Sequence, residues 1–260
     1  MIIFLTNRCN SSCTHCLHGQ LFEDSGMDIS EEMFSQAIQF INQVQPLTVN
    51  ISGGEPTLHP RFSAIIEKLQ RELKPNPILG IKPPITLITN GTFISDAALF
   101  EFLKRAKINV QITYDPAYYT NAVSSTDLQK SGFIVETHIR KPIAYGKAKS
   151  FPVDQLSSDR VAPFCFNIRS LVKLSGFDFA RVVQTMEQRM KFCSWAITPD
   201  GYIIISESLT CPSVGHITDS VAEITQNIKQ FRCWGCVYAK TMLNRTNTIT
   251  RQQHKLIFLS

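Results

Sequence analysis

Over about the first 110 residues, the sequence alternates between short apolar runs and longer segments in which apolar residues recur at helical spacing. The short runs are rich in β-branched residues, which predicts strands, and the periodic segments between them predict helices. Strands that alternate with helices form parallel sheets, because each helix carries the chain back to the same end of the sheet. This alternation constrains the fold most strongly, and it predicts an α/β fold of about five or six βα units.

Residues that favour the ends of helices and strands place the predicted elements along the chain. Predicted strands cover residues 2–6, 47–51, 85–89, 108–113 and 132–138, and predicted helices cover residues 28–45, 60–73, 95–107, 178–191 and 219–231. Asp28, three residues before Glu31, predicts a capping box at the first helix, and Ser95 predicts the N-cap of the third. Residues 195–205 predict a strand pair that turns at Asp200-Gly201.

Composition and charge limit the classes of protein to which this chain can belong. Hydrophobic residues make up 43% and charged residues 18%, which is typical of a folded globular protein. No apolar run approaches the roughly 20 residues that cross a bilayer, and the apolar start is too short for a secretory signal, so we expect a cytoplasmic protein without a membrane partner. The net charge of +5 is scattered rather than grouped, so we expect no nucleic-acid partner.

Eight cysteines without a secretion signal indicate metal binding rather than disulfides. Three of them, Cys9, Cys13 and Cys16, lie within eight residues directly after the first predicted strand. Three thiol ligands leave one iron of a four-iron cluster open to a small molecule, whereas a fully ligated cluster has no such position. The alternatives are a ferredoxin-like site or a zinc knuckle with His15 or His18 as a further ligand.

The spacing CxxxCxxC in the loop after the first strand resembles the signature of the radical S-adenosylmethionine (radical SAM) superfamily. The resemblance implies a partial TIM barrel and a 4Fe-4S cluster whose open iron binds S-adenosylmethionine. In this family one electron, from a donor such as flavodoxin or ferredoxin, splits the cofactor into methionine and a 5′-deoxyadenosyl radical that abstracts a substrate hydrogen. The resemblance therefore implies an enzyme, an oxidoreductase or a maturase.

A second motif agrees with the cysteines. Gly53, Gly54, Glu55 and Pro56 follow the second predicted strand, where family members carry the motif that binds the amino group of the cofactor. Paired glycines permit close approach of the backbone, and a carboxylate accepts hydrogen bonds from an ammonium. Without the cysteines, the same four residues would indicate only a turn between a strand and a helix.

Three further residues are assigned to the cofactor by the resemblance alone. The third strand ends in a Thr-Asn-Gly that contains Asn90, and the fourth ends in a Thr-Tyr-Asp-Pro that begins at Thr113. Both resemble the family's motifs at these points, except that proline replaces a glycine in the second, and they imply ribose binding near Asn90 and Thr113. Arg140, just after the fifth strand, is a candidate partner of the cofactor carboxylate, with a solvated loop as the alternative.

Four cysteines in the C-terminal part form a second set: Cys193, Cys211, Cys233 and Cys236. Four thiols complete either a tetrahedral zinc site or a fully ligated iron-sulfur cluster. The layout resembles the twitch module, a shorter relative of the SPASM extension, which implies an auxiliary 4Fe-4S cluster, and zinc stays the alternative. We predict a core over residues 1–160 and a twitch-like module of a β-hairpin and a helix over residues 161–260, with Cys165 as a buried apolar residue.

The identity of the substrate separates the functional hypotheses. Enzymes with this extension modify ribosomally made peptides or protein side chains by crosslinking or dehydrogenation, which is the leading prediction. The alternative is dehydrogenation of a small polar molecule, because the chain resembles an aminocyclitol dehydrogenase in length, twitch size and cysteine spacing, and because we expect no N-terminal peptide-recognition domain. A protein that carries clusters only for binding or regulation is a third hypothesis. No general base is assigned.

Overall fold

The computed structural model describes residues 1–16, 18, 26–46, 48–77, 80–114, 117–118, 123–137, 142, 146–155, 195–205 and 213–230. Within these residues eight strands form one sheet: β1 (Ile2–Phe4), β2 (Val49–Ser52), β3 (Ile85–Thr89), β4 (Asn109–Tyr114), β5 (Ile134–Thr137), β6 (Ala196–Ile197), β7 (Tyr202–Ile204) and β8 (Ser213–His216). The α-helices of the same part are α1 (Glu31–Val44), α2 (Phe62–Glu72), α3 (Ala97–Arg105), α4 (Ser125–Ser131) and α5 (Val221–Gln230). The predicted α/β class is confirmed.

The first five strands form the parallel half of the sheet. They pair side by side in the order β1-β2-β3-β4-β5, and one of the helices α1 to α4 lies between each strand and the next along the chain. The carboxyl ends of parallel strands meet at one edge of the sheet, which is where sites form in such folds. The loops that carry the first cysteines and the cofactor motifs therefore lie next to one another.

Strands β6, β7 and β8 extend the same sheet on the other side of β1. Strand β6 runs parallel to β1, with Ile2 opposite Ala196, and β7 and β8 follow in antiparallel order. The turn between β6 and β7 holds Gly201 at a φ of 85°, which confirms the predicted hairpin. Strand β8 was missed because Val214 is its one apolar residue and Gly215 interrupts any alternation.

The predicted boundary between the core and the C-terminal module lies outside the described residues. Residues 156–194 are not described, and the predicted helix 178–191 falls among them. On the described side, Ile203 of β7 and Ile224 of α5 belong to the same buried cluster as the parallel half. The rings of Phe40 on α1 and Trp195 before β6 also lie 6.0 Å apart. The division into two domains stays a prediction.

The predicted capping box of helix α1 is wrong. The N-cap is Ser30, whose Oγ accepts a hydrogen bond from the Met33 N–H at 3.0 Å. The carboxylate of Asp28 is turned away from the helix and pairs with the side chain of Arg8, whose Nε lies 3.1 Å from it. An ion pair with a residue distant in sequence uses the carboxylate of Asp28, so Ser30 caps the helix instead, and the sequence of the helix start does not reveal that choice.

The third helix also begins differently from the prediction. Its N-cap is Asp96, which accepts from the Leu99 N–H at 3.0 Å, because Ser95 ends a short 3-10 turn just before the helix. Helix α2 begins at Phe62, after a separate 3-10 turn, so the predicted start at residue 60 is early. Helix α4 was missed, since its seven residues are too few to show helical periodicity.

The core lies between the sheet and the helices that cover it. The largest fully buried side chains of the described part are Phe4, Phe34, Phe40, Ile3, Leu5, Ile38, Ile41, Ile51, Ile66, Leu69, Leu87 and Leu103. Apart from Leu5, which directly follows β1, they come from β1, β2, β3 and the first three helices, so the parallel half is the best-packed part described. No helix among the described residues has the length and apolar content needed to span a membrane.

Candidate cluster and cofactor site

The loop that carries Cys9, Cys13 and Cys16 is fixed at both of its ends. The N–H of Asn7 donates to the carbonyl of Met27 at 2.8 Å, and the N–H of Ile29 donates to the carbonyl of Leu5 at 2.8 Å. The ion pair between Arg8 and Asp28 joins the same two segments, residues 5–8 and residues 27–29. The three cysteines therefore lie in a closed loop rather than on a free terminus. The described residues 6–16, which include the three cysteines, are called the cysteine loop below.

The cysteine thiols interact electrostatically with one another. Burial raises the pKa of Cys13 to about 12, and the charges of Cys9 and Cys16 add to that rise. Partial loss of hydration, together with the charges of Glu55 and Cys16, also raises the pKa of Cys9. Thiols with raised pKa values are protonated at neutral pH, so a metal that binds them must displace protons. Three thiols within range of one another on one loop fit a cluster that takes three cysteines.

The three cysteines and the two histidines are not grouped around one metal position in this structure, so neither the cluster site nor the zinc alternative is preassembled. Among the described residues, which include His15, His18 and the first three cysteines, no three His, Cys, Asp or Glu side chains are grouped so that they would hold one metal ion. The ring of His18 packs edge-on against Phe4 at 5.1 Å, and burial lowers its pKa to about 4. The ring of His15 lies 4.9 Å from that of Tyr118.

Gly53 and Gly54 are required by the cysteine loop itself. The N–H of Gly54 donates to the Thr6 carbonyl at 2.8 Å, and the N–H of Glu55 donates to the Arg8 carbonyl at 2.7 Å. A Cβ on Gly53 would lie 2.6 Å from the Thr6 carbonyl oxygen, and one on Gly54 would lie 2.7 Å from the Arg8 carbonyl carbon and nearer still to its oxygen. Only residues without side chains allow the two backbones to approach this closely.

Glu55 lies at the centre of the site and is fully buried. One carboxylate oxygen accepts from Thr57 Oγ1 at 2.6 Å, Thr57 N–H at 3.2 Å and Thr89 Oγ1 at 2.7 Å, and the other accepts from the Asn90 N–H at 2.8 Å. Burial raises the pKa of Glu55, while these hydrogen bonds oppose the rise. Pro56 begins the 3-10 turn that Glu55 caps. The carboxylate therefore ties the end of β2 to the end of β3.

Asn90 connects the end of β3 to the cysteine loop. Its Nδ2 donates to Asn10 Oδ1 at 2.9 Å and to Ser11 Oγ at 3.2 Å. Thr113 stands beside it, because Thr89 is paired with Ile112 in the register of β3 and β4. The hydroxyl of Thr113 donates to the Thr89 carbonyl at 3.3 Å. Asn90 and Thr113 thus lie next to each other, as the predicted ribose site requires, and their binding of ribose stays a prediction.

The far side of the cysteine loop contacts segments that follow β4 and β5. The N–H of Thr14 donates to the Tyr118 carbonyl at 3.3 Å, and the N–H of Lys147 donates to the Cys16 carbonyl at 3.0 Å. The Tyr118 ring stacks on Phe151 at 5.9 Å. The positive charge of Lys147 lowers the pKa of both Cys9 and Cys13, against the larger effect of burial.

The predictions missed the side chains that hold the loop in place. Asn10, Ser11, Thr89, Thr92 and Lys147 were not singled out, although all of them contact the cysteine loop or its partners. For one of these residues the sequence held a usable signal. A Thr two residues after an Asn is typical of a turn in which the Asn side chain accepts from the backbone, as Asn90 does from the Thr92 N–H.

Several predicted site residues lie outside the described part of the chain. These are Arg140 and all remaining cysteines: Cys165, Cys193, Cys211, Cys233 and Cys236. Their predicted roles are taken up below as proposals. Of the predicted residues that the structure does describe, Cys9, Cys13, Cys16, Gly53, Gly54, Glu55, Pro56, Asn90 and Thr113 all lie at the carboxyl edge of strands β1 to β4 or in the loops that follow them.

The residues at this edge of the sheet match a known protein family. Residues 3–124 match the family model described as the radical SAM superfamily. This part of the chain belongs to the radical SAM superfamily of enzymes. The match runs from β1 to the segment before α4, so it includes the cysteine loop, the Gly53-Gly54 turn and Asn90.

Two curated relatives of the radical SAM region are informative. The chain is 27% identical over 207 residues to the probable GTP 3',8-cyclase of Methanocella arvoryzae, with 73% of this chain and 62% of the relative covered. It is 32% identical over 113 residues to the antilisterial bacteriocin subtilosin biosynthesis protein AlbA of Bacillus subtilis, with 43% of this chain and 23% of the relative covered. The chain thus spans less than two thirds of the length of either relative.

The fold also matches solved radical SAM structures. Native anSMEcpe with bound AdoMet and Kp18Cys peptide superimposes with a TM-score of 0.57, at 17% identity, with 88% of this chain and 81% of that chain covered. An identity this low supports the fold alone. With the parallel sheet and its antiparallel extension, it confirms the predicted partial barrel followed by hairpin strands.

Proposed function

We propose that this chain is an enzyme that binds a 4Fe-4S cluster through Cys9, Cys13 and Cys16 and cleaves S-adenosylmethionine. The supporting observation is the backbone contact of the cysteine loop with Gly53 and Gly54, which places a cluster loop and a cofactor motif side by side. When bound, the cluster and the cofactor supply a 5′-deoxyadenosyl radical that abstracts hydrogen from the substrate. The protein positions the reactants and excludes water.

The proposed cofactor ligands are the turn after β2, Thr113 near the end of β4, and Arg140, which follows β5 in the sequence. The Gly53 to Pro56 turn would bind the amino group, Thr113 the ribose and Arg140 the carboxylate of S-adenosylmethionine. From the described residues, the Glu55 oxygen that faces the Asn90 N–H accepts only that one bond, so it keeps an acceptor position that an ammonium would use. A flavodoxin or ferredoxin in the cytoplasm would supply the electron.

We assign a second 4Fe-4S cluster to Cys193, Cys211, Cys233 and Cys236. Four thiolates saturate such a cluster, so its role would be electron transfer from the substrate radical rather than substrate binding. Replacing Cys233 and Cys236 with Ala should remove about half of the iron and leave cofactor cleavage in place. Zinc at this site would appear as one Zn per chain in metal analysis, with iron content unchanged in the variant.

The test of the proposal is anaerobic reconstitution with iron and sulfide, followed by S-adenosylmethionine and a strong reductant. The wild-type chain should produce 5′-deoxyadenosine and methionine. A variant with Cys9, Cys13 and Cys16 changed to Ala should produce neither, while the C233A/C236A variant serves as the matched control that also loses thiols. Intact clusters without any cleavage would instead support a protein that carries clusters for binding or regulation.

For the substrate we propose a side chain of a ribosomally made peptide or protein, which would be crosslinked or dehydrogenated. Support comes from the similarity to the bacteriocin biosynthesis protein AlbA and to the fold of anSMEcpe, which was solved with a peptide. Incubation of the reconstituted enzyme with peptides encoded beside its gene should give a loss of about two mass units per oxidation, since two hydrogens leave. Products of unchanged mass would contradict this substrate class.

A small polar molecule is the second candidate, with an aminocyclitol as one example. The observation that favours it is the extent of the alignment with the probable GTP 3',8-cyclase, which covers 207 residues against 113 for AlbA. Substrate-dependent formation of 5′-deoxyadenosine separates the two candidates. A rise with a panel of nucleotides and cyclitols, and none with peptides, would select the small molecule.

A further inference from the structure

Asn90 has no hydrogen-bonding capacity left for a cofactor. A side-chain amide offers two donors and two acceptor positions. Both donors of Asn90 are used by Asn10 Oδ1 and Ser11 Oγ, and its Oδ1 accepts from the Thr92 N–H at 3.0 Å and the Thr92 Oγ1 at 2.8 Å. Asn90 is also buried. A ribose hydroxyl would have to displace one of these four bonds.

The orientation of the amides follows from the backbone. The Thr92 N–H is a donor in every state, so the atom of Asn90 that faces it must be the oxygen. The nitrogen of Asn90 then faces Asn10, which must present its own oxygen. The nitrogen of Asn10 consequently donates to Thr92 Oγ1 at 2.9 Å, and that hydroxyl donates to Asn90. The three side chains close a ring of hydrogen bonds.

This ring joins the cysteine loop to the sheet at a specific place. Asn10 directly follows Cys9, and Ser11 lies between Cys9 and Cys13, so the bonds from Asn90 hold the segment between two proposed cluster ligands. On its other side, the backbone N–H of Asn90 is held by the buried Glu55. The loop is therefore connected through Asn90 to the rigid ends of β2 and β3.

We infer that Asn10, Asn90 and Thr92 are positioning residues for the iron-sulfur cluster, and that Asn90 acts through the cysteine loop rather than as a ribose ligand. The inference rests on the proposed cluster at Cys9, Cys13 and Cys16. The ring holds the loop in a conformation from which Cys9 and Cys13 ligate iron, and it does so whether or not S-adenosylmethionine is bound.

The test measures release of iron to a chelator from the reconstituted full-length chain, without S-adenosylmethionine. A variant that lacks Cys9, Cys13 and Cys16 reports iron bound elsewhere, and its signal is subtracted. Because Asn90→Ala removes two bonds to the loop, release should be about five to ten times faster than from the wild type, with about threefold for Asn10→Ala and about twofold for Thr92→Val. Asn10→Asp keeps the acceptor for Asn90 and should recover most of the loss.

Two controls separate positioning from general destabilisation. Asn42, which accepts from the Lys74 N–H and donates to the Glu72 carbonyl, has the same chemistry away from the site, so Asn42→Ala should leave release unchanged. The double variant Asn10→Ala/Asn90→Ala should accelerate iron release by less than the product of the two single accelerations, because the two residues share one bond while Asn10 alone also donates to Thr92. If Asn90→Ala does not fold, iron release from Asn10→Ala and Thr92→Val is compared with that of the wild type and of Asn42→Ala instead.

The outcomes are distinct. Wild-type release from Asn90→Ala, together with weaker binding of S-adenosylmethionine, would overturn the inference and make Asn90 a cofactor ligand. Equal acceleration in Asn42→Ala would overturn it as well. A wild-type chain that forms no cluster on Cys9, Cys13 and Cys16 would instead overturn the proposed function, and this is visible before any variant of the ring is compared. The reduced cluster of Asn90→Ala should also show an altered electron paramagnetic resonance spectrum.

Discussion

The two halves of the sheet use glycine for different physical reasons. In the parallel half, Gly53 and Gly54 do not have positive φ angles, and they are required because the backbone of residues 6–8 fills the place of a side chain. In the hairpin half, Gly201 has a φ of 85°, and its absent Cβ would face the side chains of His216 and Met33. A side chain can rotate away from a new methyl group, whereas a backbone segment cannot move alone.

This difference indicates which glycine substitutions should disturb the site and which should only lower the free energy of unfolding. At the Gly53-Gly54 turn, any displacement of the neighbouring backbone is also a displacement of the cysteine loop, so packing there controls ligand position. At the hairpin turn, strain is confined to the turn and to two side chains, so it affects the free energy of unfolding and leaves the site in place. Four substitutions test this separation, and their effects should decrease in the order Gly54→Ala, Glu55→Gln, Gly201→Ala and Asp28→Asn.

Gly54→Ala should have the largest effect. The new methyl group would meet the Arg8 carbonyl, which is backbone, so the start of the cysteine loop has to shift. We expect a loss of about 3 kcal/mol in the free energy of unfolding, the upper range for overpacking, and loss of most iron bound by the loop. Urea unfolding and iron analysis measure the two effects. Normal iron content in this variant would show that packing at the Gly53-Gly54 turn does not control the position of the cysteine loop.

Glu55→Gln should be the next most damaging change. In the amide, an NH₂ group replaces one of the two oxygens. This group would face either the Asn90 N–H or the donors of Thr57 and Thr89, so two buried donors would point at each other without an acceptor. We expect a cost of about 2 kcal/mol in urea unfolding. Glu223→Gln is the matched control, because Glu223 also accepts from a neighbouring cap residue but is exposed. Equal effects of the two changes would refute the role of burial.

Gly201→Ala should destabilise the chain without affecting the site. A non-glycine residue at positive φ costs about 1–2 kcal/mol, and the contacts with His216 and Met33 are relieved by rotation of those side chains. We expect a lower midpoint of thermal unfolding, but the same iron content per folded chain and the same rate of 5′-deoxyadenosine formation. Loss of iron in this variant would show that the two halves are coupled.

Asp28→Asn should have the smallest effect, and the effect should depend on pH. Burial alone would raise the pKa of Asp28, but hydrogen bonds from Thr6 and Arg8 and the charge of Arg8 lower it below its ordinary 3.8. The stabilisation is therefore present above that ordinary value and is lost as the pH falls through the lowered pKa. We expect a difference of about 0.5 kcal/mol at pH 7, since the pair is partly exposed, and none in strong acid.

The parallel half could be predicted from the sequence because its signals are local. The strand at 85–89 and the hairpin turn at Gly201 were predicted correctly, since β-branched runs and an Asp-Gly turn need no knowledge of the rest of the chain. The cysteine spacing and the glycine pair also indicated that the loops after β1 and β2 form one site. The structure confirms that these two loops are in contact.

The contacts between loops could not be predicted, because they join residues far apart in sequence. Nothing near Asp28 shows that its carboxylate pairs with Arg8 rather than with the helix start. Likewise, Asn10 and Asn90 are 80 residues apart, and only the register of β1, β2 and β3 brings them together. Sequence alone therefore indicated a cofactor role for Asn90 but did not predict its hydrogen-bond partners.

The position of β1 has a consequence for synthesis of the protein. Of the described strands β1 is made first, yet one of its two sheet neighbours is β6, whose Ala196 pairs with Ile2. On the ribosome, the outer edge of β1 therefore stays unpaired until almost the whole described chain has emerged. Because unpaired apolar strand edges promote aggregation, we expect the nascent chain to benefit from chaperones or from rapid pairing of β6 with β1. Slowing translation before residue 195 should accordingly lower the yield of soluble protein.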